Sequence, residues 1–598
     1  MAAADRSIIV FRNFVLLVSI WGLVFLSCVF FTASLVVVFL HGWKNFYKVM
    51  ISYSLVEQFI TFMKVFFQSW EYFLQNKESV SFKTANYFFP KLVFGTLFPV
   101  TIYGIILFKF RIPLSEWRPF KEEETAHGSA HWATANEVKK AGLRCKKGML
   151  LGKYKDQFLV AGGYEHALLF APTGSGKGVG FVVPNLLFWE ESAIVHDVKL
   201  ENYEKTSGYR RDKLKQKVFV WNPADQDGYT HCYNPMDWIS KDIGKMVDDV
   251  QKISNFLVIQ GQKADIWYME ANALVVGIML YLLVDPKKIA SLGEVLRVLR
   301  SDDVAYTLAV VLDTMGSKIH PVSYMNLASF LQKADKERSG VISTASSCLE
   351  LWSNPLVDAA TSKSHFNIDR FRKELYTLYV GVSPNNINRL RPLLQIFYQQ
   401  CGGIFTSKLP DKRIDKFGVL MLLDEFPTLG KMEEIRMGIA YYRGYSVRLF
   451  LIIQDTEQLK SIYEASGMNS FLANSSYRIT FAANNVETAQ LISSLLGNKT
   501  IITQGYSRPK YLDLNPGARS VNISKGSRAL LLPQEVINLP REEQILLVES
   551  QAPIRCKKIC YYKEKFFTSK LFSPIKIPKQ EPYLASRENR KKDTAAAS

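Results

Sequence analysis

Cysteine is scarce in this sequence. Seven cysteines are spread over 598 residues, which is too few and too scattered for a disulfide framework. The nearest pair, Cys556 and Cys560, lacks the C-x-x-C spacing of common zinc sites. We therefore expect reduced, buried thiols in a cytoplasmic domain.

Acidic residues are also in deficit. The chain has 55 Asp and Glu against 74 Lys and Arg, a formal net charge of +19 at pH 7. This excess fits a DNA-handling surface, because cationic side chains that neutralise phosphates release counterions. It fits an anionic membrane surface nearly as well. Hydrophobic residues make up 48%, which excludes a wholly disordered chain, and the sequence has neither an internal repeat nor a sequence-specific DNA-reading motif.

Two stretches near the N-terminus contain no charged side chain. Residues 14–40 exceed the ~20 residues needed to cross a bilayer, and residues 92–108 form a shorter stretch that includes a proline. A convincing signal-peptide cleavage site is lacking. We therefore expect a two-helix membrane anchor over residues 1–111, with two buried core helices as the alternative. The outer ends of the stretches are flanked by basic residues, which predicts that the N-terminus and the main body are both cytoplasmic.

From residue 112 onward, short apolar runs alternate with helical patterns, which predicts a parallel sheet flanked by helices. The candidate strands are Ala167–Phe170, Ala193–Val195, Val218–Val220, Leu375–Val380, Val419–Leu423, Leu449–Ile453, Arg478–Phe481 and Ile545–Leu547. Residues 241–365 have a helical pattern and predict an all-α domain inserted between the two parts of an α/β domain, 112–240 and 366–565. Residues 566–598 are predicted to form a basic, loosely ordered tail.

A glycine-rich segment, Ala171-Pro-Thr-Gly-Ser-Gly-Lys-Gly178, follows the first of these strands and precedes a helix. This context is typical of a phosphate-binding loop, in which backbone N–H groups and a lysine face phosphate oxygens. The predicted binding residues are Thr173, Gly174, Ser175, Gly176, Lys177 and Gly178. The loop departs from the common GxxxxGK[ST] pattern at Ala171 and at Gly178. Because Gly178 has no hydroxyl, the magnesium contact must come from elsewhere or from water.

Polar side chains end three other candidate strands. Asp424 and Glu425 follow Val419–Leu423 directly, at an edge where a parallel sheet can hold Mg²⁺ beside phosphates. We predict that Asp424 lies on the metal side and that Glu425 is the general base. Gln454 either senses the terminal phosphate and positions water or is a simple strand-end polar residue. The segment Asp197–Glu201 fits a local salt-bridge cluster as well as a site role.

Together these motifs resemble the TraG-like coupling proteins of type IV secretion systems, which are membrane-anchored ATPases. The segments that carry the resemblance are His127–Trp132, Ala171–Gly180, Tyr233–Asp237, Leu423–Pro427, Gln454 with Gln458–Leu459, Glu487–Ala489, and Arg528–Pro533 through Tyr561–Tyr562. The resemblance implies a RecA/FtsK-like P-loop nucleotide-binding domain with an inserted all-α domain. It also implies ATP and Mg²⁺ as cofactors, and a homo-hexameric ring in the bacterial inner membrane with ATP between subunits.

The same resemblance implies the partners. These are DNA with its relaxase, secreted effector proteins, other components of the secretion channel and its ATPases, and membrane lipids. In a ring, an arginine of a neighbouring subunit should reach the γ-phosphate. Arg443 matches the family's usual candidate, and Arg448, Arg478 and Arg528 are its competitors.

The motifs and this resemblance together imply a coupling ATPase that recruits DNA–protein complexes or effector proteins and energises their transfer by ATP hydrolysis. The alternative is a nucleotide-regulated docking receptor without motor activity. The adjacent Asp424 and Glu425 favour hydrolysis, because a receptor has no need of a base. An FtsK-like chromosome pump would need more membrane spans and a DNA-reading domain. The sequence leaves open whether the cargo is DNA, protein or both.

Overall fold

The computed structural model describes residues 125–258, 265–507 and 520–581. Both predicted membrane spans, 14–40 and 92–108, lie outside these residues. Within the described ranges, no helix combines the length and the apolar character that a bilayer crossing requires.

One large mixed sheet organises the described part of the chain. Its strands and those of a separate hairpin are β1 (Met149–Tyr154), β2 (Gln157–Ala161), β3 (Ala167–Phe170), β4 (Ser192–Asp197), β5 (Lys217–Trp221), β6 (Tyr376–Gly381), β7 (Val419–Leu423), β8 (Val447–Ile453), β9 (Tyr477–Thr480), β10 (Asn498–Ser507), β11 (Ser520–Ala529), β12 (Glu543–Val548) and β13 (Ile554–Lys557). The sheet order is β2-β1-β13-β12-β9-β3-β8-β7-β4-β6-β5, and β10 and β11 form a separate two-stranded sheet. Every strand predicted from the sequence is present in the sheet.

The prediction of a parallel sheet is correct for one part of it only. The strands from β9 to β5 in the sheet order run parallel, whereas β12, β13, β1 and β2 pair antiparallel. The β1–β2 hairpin turns at Lys155 and Asp156, which both have positive φ, 45° and 61°. Such turns usually carry Asn-Gly or Asp-Gly, so the sequence gives no hairpin signal here.

Helices cover both faces of the sheet. They are α1 (Ala135–Lys140), α2 (Val183–Phe188), α3 (Glu201–Asp212), α4 (Ile243–Val258), α5 (Ile266–Leu282), α6 (Leu292–Leu299), α7 (Val304–Met315), α8 (Pro321–Leu331), α9 (Asp335–Cys348), α10 (Pro355–Ala360), α11 (Ile387–Thr406), α12 (Glu433–Gly438), α13 (Thr456–Asn474), α14 (Val486–Leu496), α15 (Pro533–Ile537) and α16 (Lys565–Thr568). Between β5 and β6, the described residues hold α4 to α10 and no strand. This content agrees with the helical pattern of residues 241–365.

The core has two layers, one on each face of the sheet. Along β3, Leu168 and Phe170 belong to one buried cluster and Ala167 and Leu169 to the other, as expected when successive side chains of a strand point to opposite faces. The cluster of Leu168 also includes Leu274 of α5 and many other residues of α4 to α10. The helical insertion therefore packs into the core of the α/β domain.

The prediction of a loosely ordered tail is wrong for residues 566–581. Residues 569–581, here called the C-terminal strap, lie along α3. The Tyr203 hydroxyl donates to the backbone oxygen of Ile575, and Ile575 itself is buried. Gly208 permits this close approach, because a Cβ there would fall 2.1 Å from the carbonyl oxygen of Ser573. The strap thus replaces solvent on one face of α3.

Candidate functional site

The glycine-rich loop connects β3 to a π-helical turn, Gly178–Val182, which continues into α2. Gly174 and Gly176 have φ values of 75° and 84°, a left-handed backbone that favours glycine over residues with a Cβ. A Cβ added at either of them, or at Gly178, would meet no atom within 4 Å. Open space therefore lies on the side of the loop that these three glycines face.

Lys177 is clamped by the acid pair that follows β7. Its Nζ lies 3.0 Å from Asp424 Oδ1 and 2.8 Å from Glu425 Oε1. Burial on its own lowers the pKa of Lys177, but the two carboxylates outweigh burial, so that the pKa is raised above its ordinary value. Burial also raises the pKa of Asp424, and Lys177 opposes that rise. The structure thus brings the predicted lysine and both predicted acids together.

Glu425 has an unusual backbone. Its φ is 55°, and it immediately precedes a 3₁₀ turn, Phe426–Leu429. For a residue with a Cβ, this left-handed conformation is strained, and such strain is common where a side chain must be aimed at a ligand. Gln454, at the end of β8, joins the same group, because its Oε1 accepts a hydrogen bond of 3.1 Å from Thr173 Oγ1.

Arg443 lies elsewhere. It precedes β8, at the end of that strand opposite to Gln454, and pairs with Glu165 at 3.0 Å. Since a strand rises about 3.3 Å per residue and β8 has 7 residues, roughly 20 Å of strand separates the two ends. Arg443 does not reach the Lys177 loop of its own chain. Its side chain is 61% exposed, so it is accessible to a second molecule.

The competing arginines are less accessible. Arg448 is fully buried and donates to the carbonyl oxygens of Ala161 and Gly162, at 3.2 and 2.6 Å. It holds two chain segments together and is excluded as an arginine that acts on a neighbour. Arg528 forms a 2.7 Å ion pair with Glu535. Burial lowers the pKa of Arg478, which lies in β9 inside the sheet.

Two side chains at the end of β4 extend the site. The sequence pattern did not assign a role to His196, which is fully buried, and its ring nitrogens have no hydrogen-bond partner among the described residues. Burial lowers the pKa of His196 to about 4. Asp197 accepts hydrogen bonds from Tyr203 N at 2.8 Å and Asn202 Nδ2 at 3.1 Å, so it anchors the start of α3. The salt-bridge interpretation is wrong for this residue, and burial raises its pKa to about 7.

Lys558, immediately after β13, is a further site residue that sequence reasoning missed. Its Nζ donates to the carbonyl oxygen of Ser175 over 3.3 Å and lies 3.8 Å from the centroid of the Phe481 ring. The only sequence signal was indirect, because the segments that resemble the coupling proteins continue through this position to Tyr561–Tyr562.

The donor set around the loop suits a nucleotide with its metal. Ser175 Oγ is buried without a hydrogen-bond partner in the described residues, and Asp424 Oδ1 faces the Lys177 ammonium at 3.0 Å. Among the described residues, no group of three His, Cys, Asp or Glu side chains could hold a metal ion by itself. A divalent cation at this loop therefore needs oxygen ligands from a bound phosphate or from water in addition to Asp424.

This arrangement defines a P-loop α/β protein of the RecA-like class: a glycine loop with its lysine follows one strand of a parallel sheet, and an acid pair follows another. The family described as "Type IV secretory system Conjugative DNA transfer" matches residues 131–582. The chain belongs to this family, which confirms the resemblance seen in the sequence.

Two relatives illustrate the match. The chain is 31% identical to protein VirD4 of Rhizobium rhizogenes over 453 residues, 73% of this chain and 66% of VirD4. It is 30% identical to the conjugal transfer protein TraG of Escherichia coli over 510 residues, 76% of this chain and 79% of TraG. The matched part thus spans just under two thirds of the VirD4 relative.

Solved structures show the same fold. The bacterial conjugative coupling protein TrwB, in a form named TrwBdeltaN70, aligns with a TM-score of 0.53 at 16% identity over 71% of this chain and 91% of TrwB. TrwB in complex with ADP and Mg²⁺ aligns with a TM-score of 0.52 at 15% identity, over 72% and 94% of the two chains.

Proposed function

We propose that this protein is an inner-membrane coupling ATPase of a type IV secretion or conjugation system. It recruits DNA–protein complexes or effector proteins to the secretion channel and energises their transfer by ATP hydrolysis. The observation that carries the proposal is the position of Lys177, in a glycine loop, against Asp424 and Glu425. Family membership supports it, as do the TrwB structures with the ATP analogue ADPNP and with ADP and Mg²⁺.

ATP binding must rearrange the clamp on Lys177. The backbone N–H groups of Gly174 to Gly178 and the Lys177 ammonium bind the phosphates, so Lys177 exchanges its carboxylate partners for phosphate oxygens. Glu425 is then free to accept a proton from the attacking water, and Gln454 orients that water or the terminal phosphate. Asp424 would hold Mg²⁺, and the bound ion would neutralise phosphate charge.

The same proposal includes a homo-hexameric ring that is anchored by residues 1–111. Support comes from Arg443, which is exposed and lies before the start of β8, at the end of the strands opposite to the Lys177 loop of the same subunit. In a ring, this edge of one subunit can face the loop of the next, where an arginine stabilises the charge on the transferred phosphate. An Arg443→Ala protein should then lose turnover while still binding ATP.

Mixing two inactive variants tests whether Arg443 acts on a neighbouring subunit or within its own subunit. Arg443→Ala subunits mixed with Lys177→Ala subunits should recover part of the turnover, because some loops with Lys177 then meet an intact Arg443. If the mixture stays as inactive as either variant alone, Arg443 does not act on a neighbour.

The ATPase itself is tested with the full chain in liposomes. We expect Mg²⁺-dependent ATP hydrolysis that DNA of any sequence stimulates and salt weakens. On a log–log scale the salt slope should be about −0.7 per neutralised phosphate for single strands and about −0.9 for duplex. Failure to bind or hydrolyse ATP would overturn the proposal, and a flat salt response would assign the +19 charge to lipid or protein partners.

A further inference from the structure

The phosphate loop has two unlike flanks. Lys177 faces the acid pair after β7 on one side. On the other side of β3, the sheet continues to β9, β12 and β13. Because β12 is antiparallel to both β9 and β13, β13 ends at the same sheet edge as β9. The residues just after these two strands, Phe481 and Lys558, therefore lie beside the loop.

This second flank, formed by Phe481, Lys558 and Ile559 and here called the second wall, packs directly on the turn that follows the loop. A Cβ added to Gly180 would lie 3.2 Å from the carbonyl oxygen of Ile559, 3.6 Å from Phe481 and 3.8 Å from the Cβ of Lys558. The first of these distances is tighter than ordinary van der Waals contact. Gly180 thus keeps the second wall close to the loop.

Lys558 is a cation without a carboxylate partner in the described part of the chain. Its side chain contacts the carbonyl oxygen of Ser175 and the face of the Phe481 ring. Burial lowers the pKa of Lys558 to about 8, and no acid opposes this effect. A half-buried ammonium held by one carbonyl oxygen and one ring is stabilised when an anion comes within reach.

The direction of the nucleotide follows from the chemistry of the two flanks. Hydrolysis places the terminal phosphate near Glu425, so the triphosphate extends from there along the loop and the nucleoside end lies toward the second wall. We propose that Lys558 is a second phosphate-binding cation, which contacts the phosphate next to the nucleoside, while Lys177 serves the terminal phosphates. This inference rests on the proposed nucleotide-binding function and assigns a residue within it.

The inference predicts which ligands Lys558 distinguishes. ATP, ADP and AMP all carry the phosphate next to the nucleoside, and adenosine does not. Loss of the Lys558 charge should therefore weaken binding of all three nucleotides by a similar factor and leave adenosine unaffected. A hydrogen bond to a charged group corresponds to about a ten- to hundredfold change in affinity.

The test measures affinities of the full-length protein in detergent by calorimetry with ADP and with the analogue ADPNP, and by displacement of ADP with AMP and adenosine. Three substitutions separate charge from packing: Lys558→Gln, Lys558→Met, which keeps an apolar stem over Phe481, and Lys558→Arg, which keeps the charge. Lys557→Gln is the control, because Lys557 is the neighbouring, exposed residue of β13.

We expect the Gln and Met variants to bind ADP, ADPNP and AMP about ten- to hundredfold more weakly with adenosine unchanged, and the Arg variant and the control to bind nearly as wild type. If Lys558→Met binds as tightly as wild type, Lys558 only packs and the inference is wrong. An equal loss of adenosine affinity would also overturn the inference, because Lys558 would then act on the nucleoside part of the ligand and not on a phosphate. Absence of any nucleotide binding in the wild type would instead refute the proposed function itself, and the inference with it.

Discussion

Lys177 Nζ donates a 2.8 Å hydrogen bond to Glu425 Oε1, so the lysine that is assigned to phosphate holds the carboxylate that is assigned to water. In this arrangement Glu425 is occupied until Lys177 turns to a phosphate oxygen. If Glu425 is the general base that we propose, this contact would make it available only after a nucleotide has entered the loop.

Lys177→Ala should abolish ATP turnover and secretion and leave the protein folded. The substitution removes the cation that we assign to the terminal phosphates, and this partly buried side chain contacts Asp424 and Glu425, not the apolar core. Lys153→Ala is a matched control, because Lys153 has the same 18% side-chain exposure and pairs with Glu564 at 2.6 Å. ATPase assays and thermal melting compare the two; wild-type turnover in Lys177→Ala would remove the loop from the mechanism.

Glu425→Gln should bind ATP nearly as well as wild type and hydrolyse it about 10²–10⁴-fold more slowly, because an amide cannot accept the proton from water. ATP-bound protein should accumulate, substrate should still be recruited and export should stop. Glu457→Gln on α13, whose partner Lys460 is also exposed, serves as the control. Export at the wild-type level with hydrolysis lost would falsify the motor interpretation and support a receptor.

Gly176 and Gly178 should respond differently to substitution. Gly176 has a φ of 84°, whereas Gly178 has no positive φ and has free space around a Cβ. Gly176→Ala should therefore destabilise the protein by about 1 kcal/mol or more and weaken ADP binding. Gly178→Ser should fold with unchanged stability and still bind ADP. Equal melting temperatures and affinities for both variants would show that the left-handed backbone at Gly176 is dispensable.

Asp197→Asn should change how stability depends on pH. The folded pKa of Asp197, about 7, lies above its ordinary value of 3.8, so the stabilisation from this group is complete below pH 3.8 and is lost as the pH rises through 7. An asparagine has no charge to bury. The variant should therefore gain stability relative to wild type between pH 4.5 and 8, by up to about 4 kcal/mol for a shift of this size. Parallel melting curves at the two pH values would contradict the assignment.

The sequence predicted those parts of the site that form contiguous motifs at the ends of strands. The loop with Lys177, the pair Asp424 and Glu425, and Gln454 each follow an apolar strand, and a parallel sheet brings such ends to one edge. Lys558 had no such signal. It reaches the loop only because β13 ends on the same side of the sheet as β3. Lys558 and Ser175, which it contacts, are 383 positions apart in the chain.

The fold likewise has parts that the sequence predicted and parts that it did not. Parallel strands have continuous apolar runs that are easy to recognise, and each was predicted within two residues of its observed ends. The β1–β2 hairpin was missed because its turn, Lys155-Asp156, lacks the glycine that usually marks a two-residue hairpin turn. The start of the tail was misread, because composition does not reveal that Phe567 and Ile575 find apolar partners.

The pairing of β1 with β13 has a consequence for protein synthesis. Lys153, at the end of β1, contacts Glu564, 411 positions later in the chain. At about 5–20 residues per second, a ribosome needs roughly 20–80 seconds to make the intervening chain. During that time one edge of the β1–β2 hairpin is exposed to any other nascent strand. We expect production of this protein to be sensitive to translation speed and to chaperones that shield unpaired strands.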